Sequence, residues 1–210
     1  MPSEVRLTIF IVICVLLGLF FLFLFLYSPV KNFLRKNYTV RSYYKKIMRV
    51  AEDNDYYLIN QWAMKWGEGK NEGIHIDHIL FGNKYIYVIK DRYYRGAITA
   101  KAEDRSWVYY RSKKSKKYID NPLLLNKIRA DRLSISANQP RQYFVSIVLV
   151  NDDCLVTPFH NLDDGNYLLS LSQLPKFINN YESRKVKPFS EKELSAVVRD
   201  LAALNQNERK

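Results

Sequence analysis

The sequence predicts one transmembrane helix followed by a single α/β or α+β domain of roughly 160 residues. Three observations carry this. Leu7 to Tyr27 are 21 consecutive residues without a charge. Beyond Val40 the segments read, in order, as helix, strands, helix, strand and helices. The chain is 48% hydrophobic and 14% aromatic, too rich in both for disorder. No repeat and no Gly-Ser linker divides it.

At about 1.5 Å per helical residue the apolar run covers roughly 30 Å, the thickness of a bilayer's hydrocarbon core. It exceeds the roughly 7–15 residues of a signal-peptide core, and no small-x-small site follows, so the expectation is an uncleaved anchor. Gly18 is isolated, which leaves no GxxxG face. The only cysteines, Cys14 and Cys154, exclude a disulfide framework or a four-cysteine zinc site. Cys14 reads as a small apolar residue of the span, and Cys154 as an unpaired cytosolic thiol.

Flanking charge sets the orientation. Only Glu4 and Arg6 precede the span, whereas Lys31, Arg35, Lys36, Arg41, Lys45, Lys46 and Arg49 follow it before the first acid, Glu52. Positive residues stay on the cytoplasmic side, so the expectation is a single-pass cell-membrane protein with its N-terminus outside. The sequon Asn37-Tyr38-Thr39 then lies inside and carries no glycan. Lys31, Arg35, Lys36, Arg41, Lys45 and Lys46 are expected to meet anionic lipid, at about 1 kcal/mol each. Three regions follow: the anchor in 1–30, a basic segment and first helix in 31–52, and the domain in 53–210.

Within the domain, Val40–Ala51 reads as helix and Tyr56–Ile59 as a first strand. Residues 61–73, with Gly67, Gly69 and Gly73, read as a loop. Ile74–Phe81 and Lys84–Lys90 are β-rich runs around Gly82-Asn83, the signal of a tight primed hairpin. Ala97–Ala100 and Trp107–Arg111 are short strands. Asn121-Pro122 opens a helix to about Ala137, where proline's missing N–H is harmless. Tyr143–Val150 is an apolar run of strand length, consistent with burial on both faces. Leu155–Thr157 reads as a further strand and Leu171–Tyr181 as helix. Ser190 and Glu193 form a capping box for a final helix to about Leu204.

The net charge is +12, from 33 basic and 21 acidic residues. Twelve basic residues lie in two clusters, Lys31–Arg49 and Arg111–Lys117, and the remainder balance the acids. The second cluster, Arg111, Lys113, Lys114, Lys116 and Lys117, is flanked by Tyr109, Tyr110 and Tyr118. Charge runs of this kind are usually solvated loops. Interleaved with aromatics they also suit a groove that tracks phosphates and stacks bases, with DNA or RNA as the partner.

No GxxxxGK[ST], HExxH, GxSxG or GxGxxG occurs. The polar constellation inside a β-run is His75-Ile76-Asp77-His78. Strand alternation puts His75 and Asp77 on one face and His78 on the other, so a straight strand offers too few ligands for zinc.

Tyr56–Asn60, Ile74–Leu80 with its Ile-Asp-His-Ile core, Tyr85–Ile89, Gly96–Ile98, Trp107 and Asn121–Leu123 together resemble the nuclease-related domain, NERD. The resemblance covers about residues 42–150. It implies a restriction-endonuclease-like fold of the PD-(D/E)xK superfamily, a mixed sheet flanked by helices. It also implies Mg²⁺ held by an Asp on one strand and an acid on the next, with a Lys two residues later orienting water. Mg²⁺ needs hard carboxylate oxygens to dehydrate in part.

Asp77 occupies the metal-binding Asp position. The Glu-x-Lys motif falls on Lys90-Asp91-Arg92, so a cation replaces the acid. Arg92 stays protonated and is a poor substitute for the water-orienting Lys. The family's helical Glu falls near Tyr44, and its Gln after the Asn-Pro segment on Leu125. A two-residue turn at Gly82-Asn83 would set Asp77 opposite Val88 and place Lys90 one diagonal away, within reach. An amine there repels a divalent ion, by roughly 4 kcal/mol for unit charges about 4 Å apart at an effective dielectric near 20.

The expectation is therefore a catalytically degenerate nuclease fold, a pseudoenzyme with no cofactor, in which Asp77 is a remnant and polyanion binding is retained. Two alternatives stand beside it. An active Mg²⁺-dependent nuclease would need a migrated acid, from Asp91, Glu52, Asp53 or Asp55. A structural or protein-interaction module would hold both basic clusters on lipid at the inner membrane face.

Overall fold

The computed structural model describes residues 3–66, 73–112, 115–157 and 159–206. Gly67, Gly69, Lys113 and Lys114 lie outside the described residues, as do the side chains of Arg35 and Lys36. Helix α1 (Ser3–Asn54) is continuous, so the span and the helix predicted at Val40–Ala51 are one element. Its stretch Ile9–Lys31, of mean hydropathy 3.4, is long and apolar enough to cross a membrane. The chain divides into two compact units, Met1–Arg41 and Ser42–Lys210. The last turns of α1 thus belong to the second unit, the domain.

The domain is mixed α/β, with two mixed sheets. Strands β1 (Tyr57–Lys65), β2 (Gly73–Phe81) and β3 (Ile86–Arg92) form an antiparallel meander. Strands β4 (Ala97–Thr99), β5 (Ser106–Ser112) and β6 (Ser115–Asp120) follow, then α2 (Pro122–Ser136). The chain continues through β7 (Phe144–Val150), β8 (Leu155–Thr157), β9 (Asn166–Ser170), α3 (Leu174–Glu182) and α4 (Glu191–Leu204). The larger sheet has the order β1-β2-β3-β7-β9 and the smaller β6-β5-β4-β8. β7 runs parallel to both β3 and β9, and all seven of its residues are buried. That is why its sequence is apolar without alternation.

Helices cover the larger sheet on both sides. Tyr43, Ile47 and Val50 of α1 and Leu174, Ile178 and Tyr181 of α3 pack with Leu80, Tyr87, Ile89 and Ile147. Ala130 and Leu133 of α2 and Val197 and Leu201 of α4 pack with Ile79, Phe81, Ile86 and Val88. Trp62 Nε1–H donates to Leu201 O at 2.7 Å, joining β1 to α4. Trp107 and Ile98 of the smaller sheet close a third core against Val148, Val150 and Leu168.

Several elements differ from the sequence expectation. β1 runs to Lys65, into the stretch expected to be loop. β6 and β9 were not foreseen, and the helix expected at Leu171–Tyr181 begins as a 3₁₀ turn at Leu171–Gln173. The β2–β3 turn is longer than two residues: the last pair is Phe81 with Ile86, and neither Gly82 nor Asn83 takes positive φ. The cause is Glu182, whose carboxylate accepts from Lys84 N–H at 3.0 Å and from the Tyr87 hydroxyl at 2.8 Å. Gly82 is needed for close approach, since a Cβ there would sit 2.2 Å from Glu182 Oε1. Burial holds the Glu182 carboxyl above its usual pKa, the Tyr87 and Lys84 contacts opposing it.

Asn121 fixes where α2 starts. Its Oδ1 accepts from Leu123 N–H at 2.9 Å, while its Nδ2 donates to Ala102 O at 3.0 Å and Asp104 O at 2.7 Å. One side chain thus caps the helix and ties down the preceding loop. Asn121→Ala should lower unfolding stability by about 1–2 kcal/mol, a lost cap plus lost contacts to the preceding loop. Urea unfolding of the detergent-solubilised chain checks it, and a change under about 0.5 kcal/mol would contradict this role.

Candidate functional site

The site is built where β2 and β3 lie side by side. The register that pairs Phe81 with Ile86 and His78 with Ile89 sets Asp77 level with Lys90, not opposite Val88 as a two-residue turn would. Ile79 is the residue facing Val88. Lys90 Nζ donates to Asp77 Oδ1 at 2.6 Å. Asp91 N–H donates to Asp77 Oδ2 at 3.0 Å. Asp77 and Lys90 are only 9% and 8% exposed, so both carboxylate oxygens are engaged in a site with little water. On the other flank of Asp77, the β1–β2 register pairs Asn60 with His78 and Trp62 with Ile76. Gln61, level with Asp77 between them, takes a φ of 55°. A left-handed conformation at a non-glycine strand residue is a local cost, and such costs gather at functional sites.

Further basic groups converge on the same face. His75 Nε2 lies 3.5 Å from Asp77 Oδ1. Burial, and then Lys90, hold this imidazole below the usual histidine value, against the pull of Asp77. Arg92 donates from Nη1 to Asp91 O at 3.3 Å. Arg129 comes from α2. Its phase is fixed by Asn126, whose Nδ2 donates to Val88 O at 2.9 Å, Ser146 Oγ at 3.0 Å and Ile147 O at 3.2 Å. Arg129 follows one turn later, next to the buried Ala130. Burial, and then the like charge of Arg92, lower its pKa, with Asp77 opposing. Arg129 Nη1 is buried without a hydrogen-bond partner, and neither Arg92 nor Arg129 has an ion-pair partner among the described residues.

The reverse face holds a separate polar chain. His78 Nδ1 lies 2.6 Å from Asn60 Oδ1, and its Nε2 3.0 Å from Asp91 Oδ2. The Tyr43 hydroxyl donates to Arg92 O at 2.9 Å, fixing the end of α1 to the end of β3. Asp91 is therefore turned away from Asp77 through its side chain, as alternation requires. Glu52, Asp53 and Asp55 are exposed. Tyr44 and Leu125 are 43% and 38% exposed, so neither fills the family's polar position near them.

The second basic cluster is a β-hairpin, not a loop. β5 and β6 pair Val108 with Tyr118, Tyr109 with Lys117 and Tyr110 with Lys116. Strand alternation then puts Tyr110, Lys116 and Tyr118 on one face. Tyr118 is 65% exposed and Tyr110 37%. Trp107, paired with Ile119, is buried and donates its Nε1–H to Lys101 O at 2.8 Å. His160 is exposed and takes no part in either constellation.

A sequence model of the nuclease-related domain, NERD, matches residues 34–151. The chain belongs to the NERD family. The PD-(D/E)xK superfamily is the known context of that family, and the α/β sheet bearing Asp77 on β2 and Lys90 on β3 agrees with it. No curated protein and no solved structure matches the chain.

The Mg²⁺ that this superfamily implies does not fit the donors of this NERD domain. Asp77 supplies the one carboxylate on its face, both its oxygens are taken, and an ammonium stands 2.6 Å away. Among the described residues no three His, Cys, Asp or Glu side chains gather as a metal site needs. Arg129 and the His78 chain were missed from sequence; the helical phase from Asn121, which turns Asn126, Arg129, Ala130 and Leu133 inward, was the signal for the first. Removing the amine alone, Lys90→Met, should cost about 3–5 kcal/mol by leaving a buried carboxylate unpaired. Asp77→Asn combined with Lys90→Met should recover much of that loss in a double-mutant cycle by urea unfolding; additive effects would mean the two groups do not interact.

Proposed function

We propose that this NERD protein is a membrane-anchored, catalytically degenerate nuclease fold whose domain binds nucleic acid without cutting it. One observation carries the reading: the Lys90 amine sits on Asp77, where a phosphodiesterase of this superfamily needs a second acid. A two-strand carboxylate site holds Mg²⁺ by charge, and a fixed cation removes both the room and the attraction. Arg92, at the position of the water-orienting Lys, cannot give up a proton near neutral pH. The site's own chemistry is thus anion attraction, not water activation. No cofactor is needed for it.

The β5–β6 hairpin is the proposed grip. Arg111, Lys116 and Lys117 are exposed beside Tyr110 and Tyr118, which supports phosphate contact with base stacking alongside. Lys113 and Lys114 extend the same charge run. The anchor is proposed to be residues 7–27, with the N-terminus outside and the domain in the cytoplasm. Lys31, Arg35, Lys36, Arg41, Lys45 and Lys46 would then meet anionic lipid.

Plasmid nicking with Mn²⁺ by the detergent-solubilised chain should not exceed that of Asp77→Ala; cleavage that Asp77→Ala abolishes would restore an active nuclease. Conversely, Lys90→Glu with Arg92→Lys restores the acid and the lysine of the motif, and should confer Mn²⁺ binding by calorimetry that the parent lacks. Oligonucleotide affinity should fall steeply with salt. Changing Arg111, Lys116 and Lys117 to Ser should reduce the log–log slope by about 2–3 on duplex DNA, from roughly 0.9 per phosphate contact. An unchanged slope would remove the hairpin from the interface.

A further inference from the structure

We propose that the former metal centre is a metal-independent oxyanion site, in which Arg92 and Arg129 hold one phosphate group beside the Lys90–Asp77 pair. This rests on reading the centre as degenerate, and goes beyond it by giving the centre its own ligand. The argument starts from charge. Lys90, Arg92 and Arg129 bring three positive charges to a face with one carboxylate, Asp77, and that carboxylate already accepts from Lys90 and from Asp91 N–H. Asp77 and Lys90 close on each other, so two guanidiniums remain without a carboxylate among the described residues.

Arg92 shares the face of β3 that Val88 turns to Ala130 of α2, and burial and then its like charge lower the pKa of the neighbouring Arg129. Arg129 Nη1 has no exposure to water and no hydrogen-bond partner. A buried unpaired donor costs free energy, and more when charged. Nothing in the local sequence forces Arg129 to stay, because Lys127 and Ile128 beside it on α2 face outward. An oxyanion between the two guanidiniums would satisfy Nη1, cancel the like-charge repulsion, and accept from the forked N–H groups of both. That planar fork matches a phosphate better than a point charge does.

In the superfamily a metal ion carries the positive charge to the phosphate. Here arginine side chains would carry it, so binding needs no dissociable ion. The site is also distinct from the hairpin grip, which is built from different strands in the other sheet.

The test uses the full chain in detergent with EDTA present, and inorganic phosphate titrated at constant ionic strength against chloride. The melting midpoint should rise saturably with phosphate and be indifferent to EDTA. Arg129→Gln and Arg92→Gln should each weaken half-saturation about tenfold or more, the worth of a lost charge-assisted contact. Lys176→Ser with Lys185→Ser, exposed lysines outside both the centre and the hairpin, should leave it unchanged. Without phosphate, Arg129→Met should melt no lower than the parent, since it removes an unpaired charge. The proposal is overturned by no saturable rise, by a rise equal in both arginine variants, by a rise that EDTA abolishes, or by a large drop in Arg129→Met alone. Its failure leaves the degenerate reading standing on the nicking and Mn²⁺ results; Asp77-dependent cleavage would end that reading whatever phosphate does.

Discussion

A carboxylate nine-tenths buried must have positive charge beside it, and in this domain the charge is covalently part of the chain. Lys90 answers Asp77 at 2.6 Å from the neighbouring strand. A bound metal would come and go with its concentration; an amine carried on a strand of the chain does not. The pair is therefore a permanent feature of the fold. It also makes each residue the condition for the other, since a lone buried charge costs more than the pair contributes. Arg92 shares the Lys90 face, while strand alternation turns the Asp91 side chain to the other.

Asp91 links the two sides of the sheet. Its backbone N–H serves Asp77 on one face while its carboxylate serves His78 on the other. His78 in turn reaches Asn60 on β1. Three neighbouring strands are thereby cross-linked by side chains at the level where the superfamily would do its chemistry. Such chains of polar contacts hold a buried geometry more rigidly than separate pairs. The consequence is a site whose positions are well fixed by contacts within the chain itself.

Much of this was readable from local chemistry. Asn121-Pro122 and Ser190/Glu193 mark helix starts through bonds made within three residues, and the structure has both. The proximity of Lys90 to Asp77 followed from the hairpin, although the turn is held open by Glu182, a residue 105 positions downstream of Asp77 that no turn rule could anticipate. The β6 strand was hidden because Ser115–Lys117 looks like a solvated charge run; pairing with β5 is what makes it a strand. β9 is five residues long and is defined by its place beside β7. The helical phase from Asn121 marks Arg129 as inward-facing, but what it faces depends on α2 lying over β3, a tertiary fact. Local capping and alternation were legible, whereas contacts between distant segments were not.

The matched family region stops at residue 151, but the folded unit does not. Beyond that point lie β9, which completes the sheet next to β7, and α4, whose Leu201 carbonyl receives the Trp62 indole. A fragment cut at the family boundary would leave the buried and mostly apolar β7 as a bare sheet margin with its backbone groups unmatched. Such margins recruit strands from other molecules. Expression of the shorter piece would thus yield inclusion bodies or intermolecular β-assemblies, because the segment beyond the matched region covers that margin.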